Sequence, residues 1–302
     1  MVQVITMIGD PVVSVVVPTF NHAKLLKRAL DSVVAQTFEN WEAIVVNNFS
    51  TDETIAVVQS FNDARIKLIN FSNNGIIAVS RNRGIQSARG QFVAFLDSDD
   101  NWYPEKLQKC LHQSTNGAQF VCHGELWINS DLSTRAVMYG PATRADYLSL
   151  LYRGNCISTS ATFIQTQLLR AVNGFDESAE IVTAEDYDLW MRLAAMNPKT
   201  VFIPEILGEF HRLANSASSA VMRNLSSEKV VLQKHFAQQP KNFSTKLKQR
   251  HRLAIAEYGA ARQLTNKPAL SLFINSLRLS PFVLKIYPAI FLLLFKTMAR
   301  RN

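Results

Sequence analysis

The chain is poor in several features that would mark other kinds of protein. It has three cysteines in 302 residues, Cys110, Cys122 and Cys156. Their spacing suits no metal site, and an odd count builds no disulfide framework, so a reducing compartment is expected. No apolar run approaches the roughly 20 residues that span a bilayer. The run Ala289–Phe295 is seven residues, preceded by Pro288 and Lys285. The first residues lack a basic patch, apolar core and small-residue cleavage site, so no secretory signal is expected. No Gly-x-Gly-x-x-Gly follows the first strand candidate, which argues against a dinucleotide-dependent oxidoreductase. No Ser/His or Cys/His pairing marks a hydrolase. Acids are scarce toward the end: residues 221–302 hold 15 Lys and Arg against only Glu228 and Glu257. The overall charge of +8 therefore conceals a mildly acidic body and a basic tail. Such asymmetry points to a polyanionic surface as partner. The tail lacks the aromatic-basic interleaving of an RNA reader, and nucleic acid is not expected.

What is present has a clear rhythm. Val13–Val17 and Trp41–Val46 are branched apolar runs that read as buried strands, the first stopping at Pro18. Arg65–Asn70 and Phe92–Leu96 are two more. Between them, Leu25, Leu26, Ala29, Leu30, Val33 and Val34 form a helical stripe, Ser50–Thr54 offers caps for a second helix, and Asn74-Gly75 opens a third. Strands alternating with helices imply right-handed crossovers and a mostly parallel, Rossmann-like α/β sheet flanked by helices. Ligands of such sheets bind beyond the carboxyl ends of the strands, where Thr19, Asn47, Asn48, Asp97 and Asp99 fall. After about Ala118 a hairpin (118–128 with 135–140), a strand in "TSATFIQ" and an amphipathic helix over Ala184–Met196 replace that rhythm. The last eighty or so residues read as helical and basic. The expected division is a catalytic domain over 1–225 and a helical C-terminal region over 226–302.

Five fragments carry the chemistry: "VSVVVPTFN", "VVNNFSTDET", "SRNRGIQSARGQFVAFLDSDD", "VNGFDE" and "AEDYDLWMRL", in that order. Three carboxylates at the exit of a buried strand repel one another unless a cation joins them. Together the fragments resemble family 2 glycosyltransferases, inverting enzymes with the GT-A fold, over roughly residues 12–213. The resemblance implies a nucleoside-diphosphate sugar as donor, with Mn²⁺ or Mg²⁺ on its diphosphate, since hard cations prefer carboxylate ligands. It implies Asp99 as direct metal ligand and Asp97 at the ribose or at the metal through water. Asp100 receives no role. It implies Asp186 as the base that takes the acceptor hydroxyl's proton, with Glu185 positioning the acceptor or the base. Pro18, Thr19, Phe20 and Asn48 would line the base pocket, and Arg81 would meet the nucleotide or diphosphate.

Two positions depart from the family pattern. Asn48 stands where an aspartate commonly accepts the N3–H of uracil; an amide oxygen accepts the same bond but supplies no charge. A UDP-sugar is favoured, with GDP and dTDP donors as alternatives. Downstream, the usual metal-reaching histidine falls at Leu213 or Ala214, which leaves His211 as a weak substitute. No Gln-x-x-Arg-Trp follows the "ED" helix, so transfer of one sugar per encounter is expected rather than processive synthesis. The expected product is a cell-surface polysaccharide or lipopolysaccharide, built on a glycan or lipid-linked acceptor. Residues 281–302, with Arg300-Arg301 at their edge, would hold the protein on the cytoplasmic, anionic face of a membrane. The competing reading is an impaired member of the same fold that binds sugar nucleotide or scaffolds a complex.

Overall fold

The computed structural model describes residues 9–212 and 220–299; Leu213, Ala214, Arg300 and Arg301 lie outside them. Among the described residues, nine strands form one sheet. β1 (Val13–Thr19), β2 (Trp41–Asn47), β3 (Ile66–Asn70) and β4 (Phe92–Phe95) are joined by α1 (Ala23–Val34), α2 (Thr54–Ser60) and α3 (Ile77–Ser87). Every pairing among these four strands is parallel, in the order β3-β2-β1-β4. β1 runs on through Pro18 to Thr19. A proline is tolerated at that end because the strand is about to leave the ladder.

The sheet then becomes mixed. β5 (Asn101–Trp102) leads into α4 (Lys106–Thr115), followed by β6 (Phe120–Asn129) and β7 (Thr134–Val137), which pair as the expected hairpin. After α5 (Tyr147–Arg153), β8 (Thr162–Gln165) inserts antiparallel between β4 and β6. α6 (Thr166–Ala171) and α7 (Glu185–Ala195) precede β9 (Thr200–Arg212), a long strand parallel to β6 that the sequence reading did not include. Its interior Pro204 and half-buried residues hide the strand pattern until β6 supplies the partner. β9 also pairs with β5, which brings the chain back beside the acidic loop.

Both faces of the sheet are covered, which is why its central strands lack alternation. Val13, Val15 and Val17 pack under α1 with Leu26 and Leu30, while Val16 and Phe95 face α3 and α7 with Trp190. Full burial of each such side chain contributes about 1.5–3 kcal/mol. Gly84 of α3 lies against Val16, and any side chain there would drive into it. That contact sets how close α3, and with it Arg81, comes to the strand ends.

The C-terminal helices are α8 (Val221–Phe236), α9 (Phe243–Ala261), α10 (Asn266–Leu279) and α11 (Ile286–Ala299). Val231 and Leu232 of α8 join the core beneath α7, whereas α9–α11 bury a separate alanine-rich cluster with Leu272 and Phe273. Among the described residues no helix is long and apolar enough to cross a membrane.

Candidate active site

Arg81 ties the rim together. It is 4% exposed in the middle of α3. Its Nη1 donates to Glu185 Oε1 at 2.7 Å, and Nη2 donates to Asp97 Oδ1 at 2.8 Å and Oδ2 at 3.1 Å. The guanidinium fork thus joins the end of β4 to the first turn of α7. Glu185 Oε2 accepts the Thr183 N–H at 2.7 Å. Thr183 has φ of 85°, a strained conformation for a β-branched residue that costs about 1–3 kcal/mol. That strain sets the α7 entry, where Glu185 and Asp186 begin the helix.

The three acids after β4 are held in different ways. Asp97 donates its backbone N–H to Ser160 Oγ at 3.1 Å, and the Ser160 hydroxyl donates to Asp100 Oδ2 at 2.5 Å. Asp100 Oδ1 accepts the backbone N–H of His211 at 3.0 Å. Asp100, unassigned from sequence, is therefore the buried pin that fastens the acidic loop to the end of β9. Asp99 is the acid left over. Its backbone carbonyl accepts from Arg28 at 3.1 Å, but no side-chain donor meets its carboxylate among the described residues. Burial, with the Asp97 charge beside it, pushes the Asp99 carboxyl up to about 6.

A buried carboxylate beside a second carboxylate is a group that a cation would stabilise. The fit for Mg²⁺ or Mn²⁺ is good, since both take carboxylate oxygen. Among the described residues no three His, Cys, Asp or Glu side chains form a ready-made cage. An ion that draws its other ligands from substrate phosphates and water needs none. Asp97 already gives both oxygens to Arg81, so Asp99 is the freer ligand.

Asp186 lies half-buried beside Glu185. Its Oδ1 accepts the Tyr187 N–H at 2.6 Å, and its Oδ2 lies 3.4 Å from the Thr159 hydroxyl. Burial first, then the Glu185 charge, pushes its carboxyl up to about 7. A base with that affinity is poised for proton transfer near neutral pH. His211 sits across the rim. Its ring Nε2 is 3.1 Å from Glu209 Oε2, and burial lowers its proton affinity. Its backbone, through Asp100, does the visible positioning.

The loops after β1 and β2 are stitched together on the neighbouring stretch of rim. Asn48 donates its N–H to the Thr19 carbonyl at 3.0 Å, and Asn21 donates its N–H to Ser50 Oγ at 2.8 Å. Asn48 Oδ1 accepts the Asn73 N–H at 3.0 Å, which fixes the amide and leaves one oxygen lone pair. Phe20 and Phe49 are 50% and 59% exposed on these two loops, either side of the stitch. Phe49, at φ of 54°, was absent from the sequence reading; an apolar residue inside the polar turn "NNFSTD" was the available signal. Thr159 and Ser160 had no such signal, being hydroxyls in a polar loop. The site residues read from sequence thus fall in two adjoining groups: Pro18 and Thr19 at the end of β1 with Phe20 and Asn48 on the loops, and Arg81, Asp97, Asp99, Glu185 and Asp186 around the fork.

The chain resembles known proteins in sequence and in fold. The profile described as "Glycosyl transferase family 2" matches residues 14–169, and one described as "Glycosyl transferase family group 2" matches residues 92–299. A putative teichuronic acid biosynthesis glycosyltransferase of Bacillus subtilis is 30% identical, over 69% of this chain and 82% of that one. A UDP-Glc:alpha-D-GlcNAc-diphosphoundecaprenol beta-1,3-glucosyltransferase of Escherichia coli is also 30% identical, over 70% of this chain and 81% of its own. Among solved structures, residues 1–349 of S. aureus TarS with UDP-GlcNAc superpose with a TM-score of 0.64 at 20% identity, covering 88% of this chain and 79% of that one. The mannosyltransferase of Pyrobaculum calidifontis with GDP-Man and Mn²⁺ gives 0.62 at 18% identity, over 97% and 81%. These superpositions establish the fold. By its sequence matches the chain belongs to glycosyl transferase family 2, and it has the GT-A fold.

Proposed function

We propose that the protein is a metal-dependent, inverting glycosyltransferase that moves one sugar per encounter from a nucleoside-diphosphate sugar to a hydroxyl acceptor in cell-surface polysaccharide synthesis. The observation that carries this reading is the fork of Arg81, which holds Asp97 on the donor side and Glu185, next to Asp186, on the acceptor side of one rim. Asp186 takes the proton as the acceptor oxygen bonds to the anomeric carbon. The bond from that carbon to the diphosphate breaks on the opposite face, and its electron pair leaves with the diphosphate. Asp99, with Asp97 through water, would hold Mn²⁺ or Mg²⁺, whose chemistry is to neutralise charge on the leaving diphosphate. Pro18, Thr19, Phe20 and Asn48 hold the base; the remaining lone pair of Asn48 accepts the N3–H of uracil, and the N3–H of thymine or the N1–H of guanine would suit the same acceptor. Relatives acting in teichuronic acid synthesis and on a diphosphoundecaprenol-linked sugar support a glycan or lipid-linked acceptor.

Calorimetric titration with UDP, GDP and dTDP, each with and without Mn²⁺, tests the donor half. Metal-dependent binding of one nucleotide, lost in Asp99→Ala, is expected. Tight binding that ignores both the metal and the substitution would sink the reading. We assign the catalytic unit to residues 1–225 and attachment to the cytoplasmic face of the membrane to residues 281–302 of the C-terminal region, 226–302. Phe282, Leu284, Tyr287, Phe291 and Leu292 are all more than half exposed there, next to Lys285. Full-length protein with Phe282, Leu284 and Phe291 changed to Ser should cease to pellet with anionic vesicles at low salt; unchanged pelleting would remove the membrane assignment.

A further inference from the structure

Beyond the rim, the extension made by β6, β7 and β9 carries aromatic and charged side chains that no role above absorbs. Trp127 of β6 pairs in register with Arg135 of β7 on one side and Phe210 of β9 on the other, and Asn129 pairs with Arg212. Side chains alternate along a strand, so Glu125, Trp127, Arg135, Phe210 and Arg212 share one face. The Trp127 and Phe210 ring centres are 5.2 Å apart, and the Arg212 guanidinium is 5.5 Å from the indole. Of the four tryptophans, Trp41, Trp102 and Trp190 are buried; Trp127 is partly open to solvent.

The indole is anchored from behind. Its Nε1 donates to Tyr139 Oη at 3.0 Å, and the Tyr139 hydroxyl donates to Glu125 Oε2 at 2.6 Å. The loop that begins at Ser158 passes beside Glu125 and Tyr139. The next residue is Thr159, 3.4 Å from Asp186, and the one after it is Ser160, bonded to Asp100. The loop that carries the Asp186 and Asp100 contacts thus passes beside the groups that anchor the partly open indole.

We propose that this face is the acceptor subsite, taking a pyranose that carries an anionic group on or beside its ring. The axial C–H groups of a pyranose give it an apolar face, and a flat ring with its N–H already satisfied offers the matching surface. Neither Arg135 nor Arg212 forms an ion pair with a carboxylate among the described residues; the Arg212 guanidinium lies at the indole, where an anion can meet it, and Arg135 is the cross-strand neighbour of Trp127 in register. A uronic carboxylate and a sugar phosphate present the same chemistry. Tyr139 and Glu125 are positioning residues here, holding the indole. The inference rests on the glycosyl-transfer reading and adds the direction from which the attacking hydroxyl reaches Asp186.

Intrinsic fluorescence reports on it directly, since Trp127 is the tryptophan that solvent reaches. Full-length protein would be titrated with methyl glucoside, methyl glucuronoside and N-acetylglucosamine 1-phosphate, with acrylamide quenching as the second readout. The anionic pyranosides should shift the emission, protect against quenching and half-saturate about tenfold lower than methyl glucoside, a difference of about 1.4 kcal/mol. Whichever of the two binds better identifies the source of the anion. By saturation-transfer NMR, Trp127→Ala should weaken pyranoside binding about tenfold or more, Trp127→Phe should retain most of it, and Arg212→Gln should erase the preference for the anion. Nucleotide binding should be unchanged in all three. Pyranosides that leave the emission untouched, or that bind Trp127→Ala as tightly as the parent, would overturn the proposal. Failure of the parent to bind any nucleotide would count against the donor reading alone, so the two fail separately.

Discussion

Two carboxylates two residues apart in the first turn of α7 have opposite surroundings. Asp188 is fully buried and receives Arg192 Nε at 2.6 Å, Lys234 Nζ at 2.8 Å and His235 Nε2 at 3.0 Å. Burial alone would push its carboxyl up, but the hydrogen bonds from His235 and Lys234 and the charge of Arg192 hold it well below the usual range. Asp186 meets no such cluster of cations. Burial and Glu185 push it up to about 7, only partly offset by the charge of Arg81 and the Tyr187 N–H. The acid whose charge is fully matched from within bolts α8 onto α7. The acid whose charge is not matched is held ready for something that comes from outside.

That contrast can be broken deliberately. The largest effect is expected from Asp186→Asn, which should lower sugar transfer about 10²–10⁴-fold, the usual contribution of a general base. Its unfolding midpoint should be unchanged or raised, because an unmatched charge is gone. Retention of the parental rate, followed as nucleoside diphosphate release in the presence of acceptor, would take the base role from Asp186. Asp188→Asn should do the reverse. Urea unfolding should show a loss of about 3–5 kcal/mol, because Lys234 and Arg192 are left facing a neutral group at a buried site, while folded protein keeps its nucleotide affinity. The Asp188 contribution is present above the ordinary value of 3.8 and is lost only as pH falls through its depressed native value.

A finer test is the pH profile of transfer. Asp186 must be unprotonated to act, so the rate should rise with pH through a limb near 7. Removing the adjacent charge in Glu185→Gln should move that limb to lower pH, and Asp188→Asn should leave it in place. For stability the sign is opposite to that of Asp188. Native Asp99 and Asp186 hold protons up to about 6 and 7 that the unfolded chain releases near 3.8. In the absence of ligand this pair should therefore make the protein less stable as pH rises between those values.

The parallel half of the sheet was legible because its strands are unbroken apolar runs ending in polar loops, and a run of that kind has few other uses. The strand-end acids stood out because three carboxylates together are costly there, whereas the acidic start of α7, a favourable place for acids, was singled out only through the family resemblance. The difference between Asp186 and Asp188 was not legible. Both sit in "EDYD", and the cations that separate them include Lys234 and His235, the latter 47 residues along the chain. Arg81 was read as a nucleotide contact; nothing within α3 reveals that two carboxylates from distant segments already occupy its fork. β9 stayed hidden because a strand with an interior proline is recognised only through its neighbour. The loop of Ser158, Thr159 and Ser160 was silent because hydroxyl-rich loops look alike in sequence, whatever they touch.

Asp52 has a consequence of another kind. Its Oδ2 accepts the Ala23 N–H at the start of α1, and its Oδ1 accepts the Thr54 N–H and hydroxyl at the start of α2. One side chain therefore begins two helices belonging to different crossovers. A circular permutant opened at this turn would loosen both helix starts with a single cut, whereas new termini in the exposed β6–β7 turn around Leu132 would unhook neither. Anyone dividing this enzyme into complementing fragments should make the cut there.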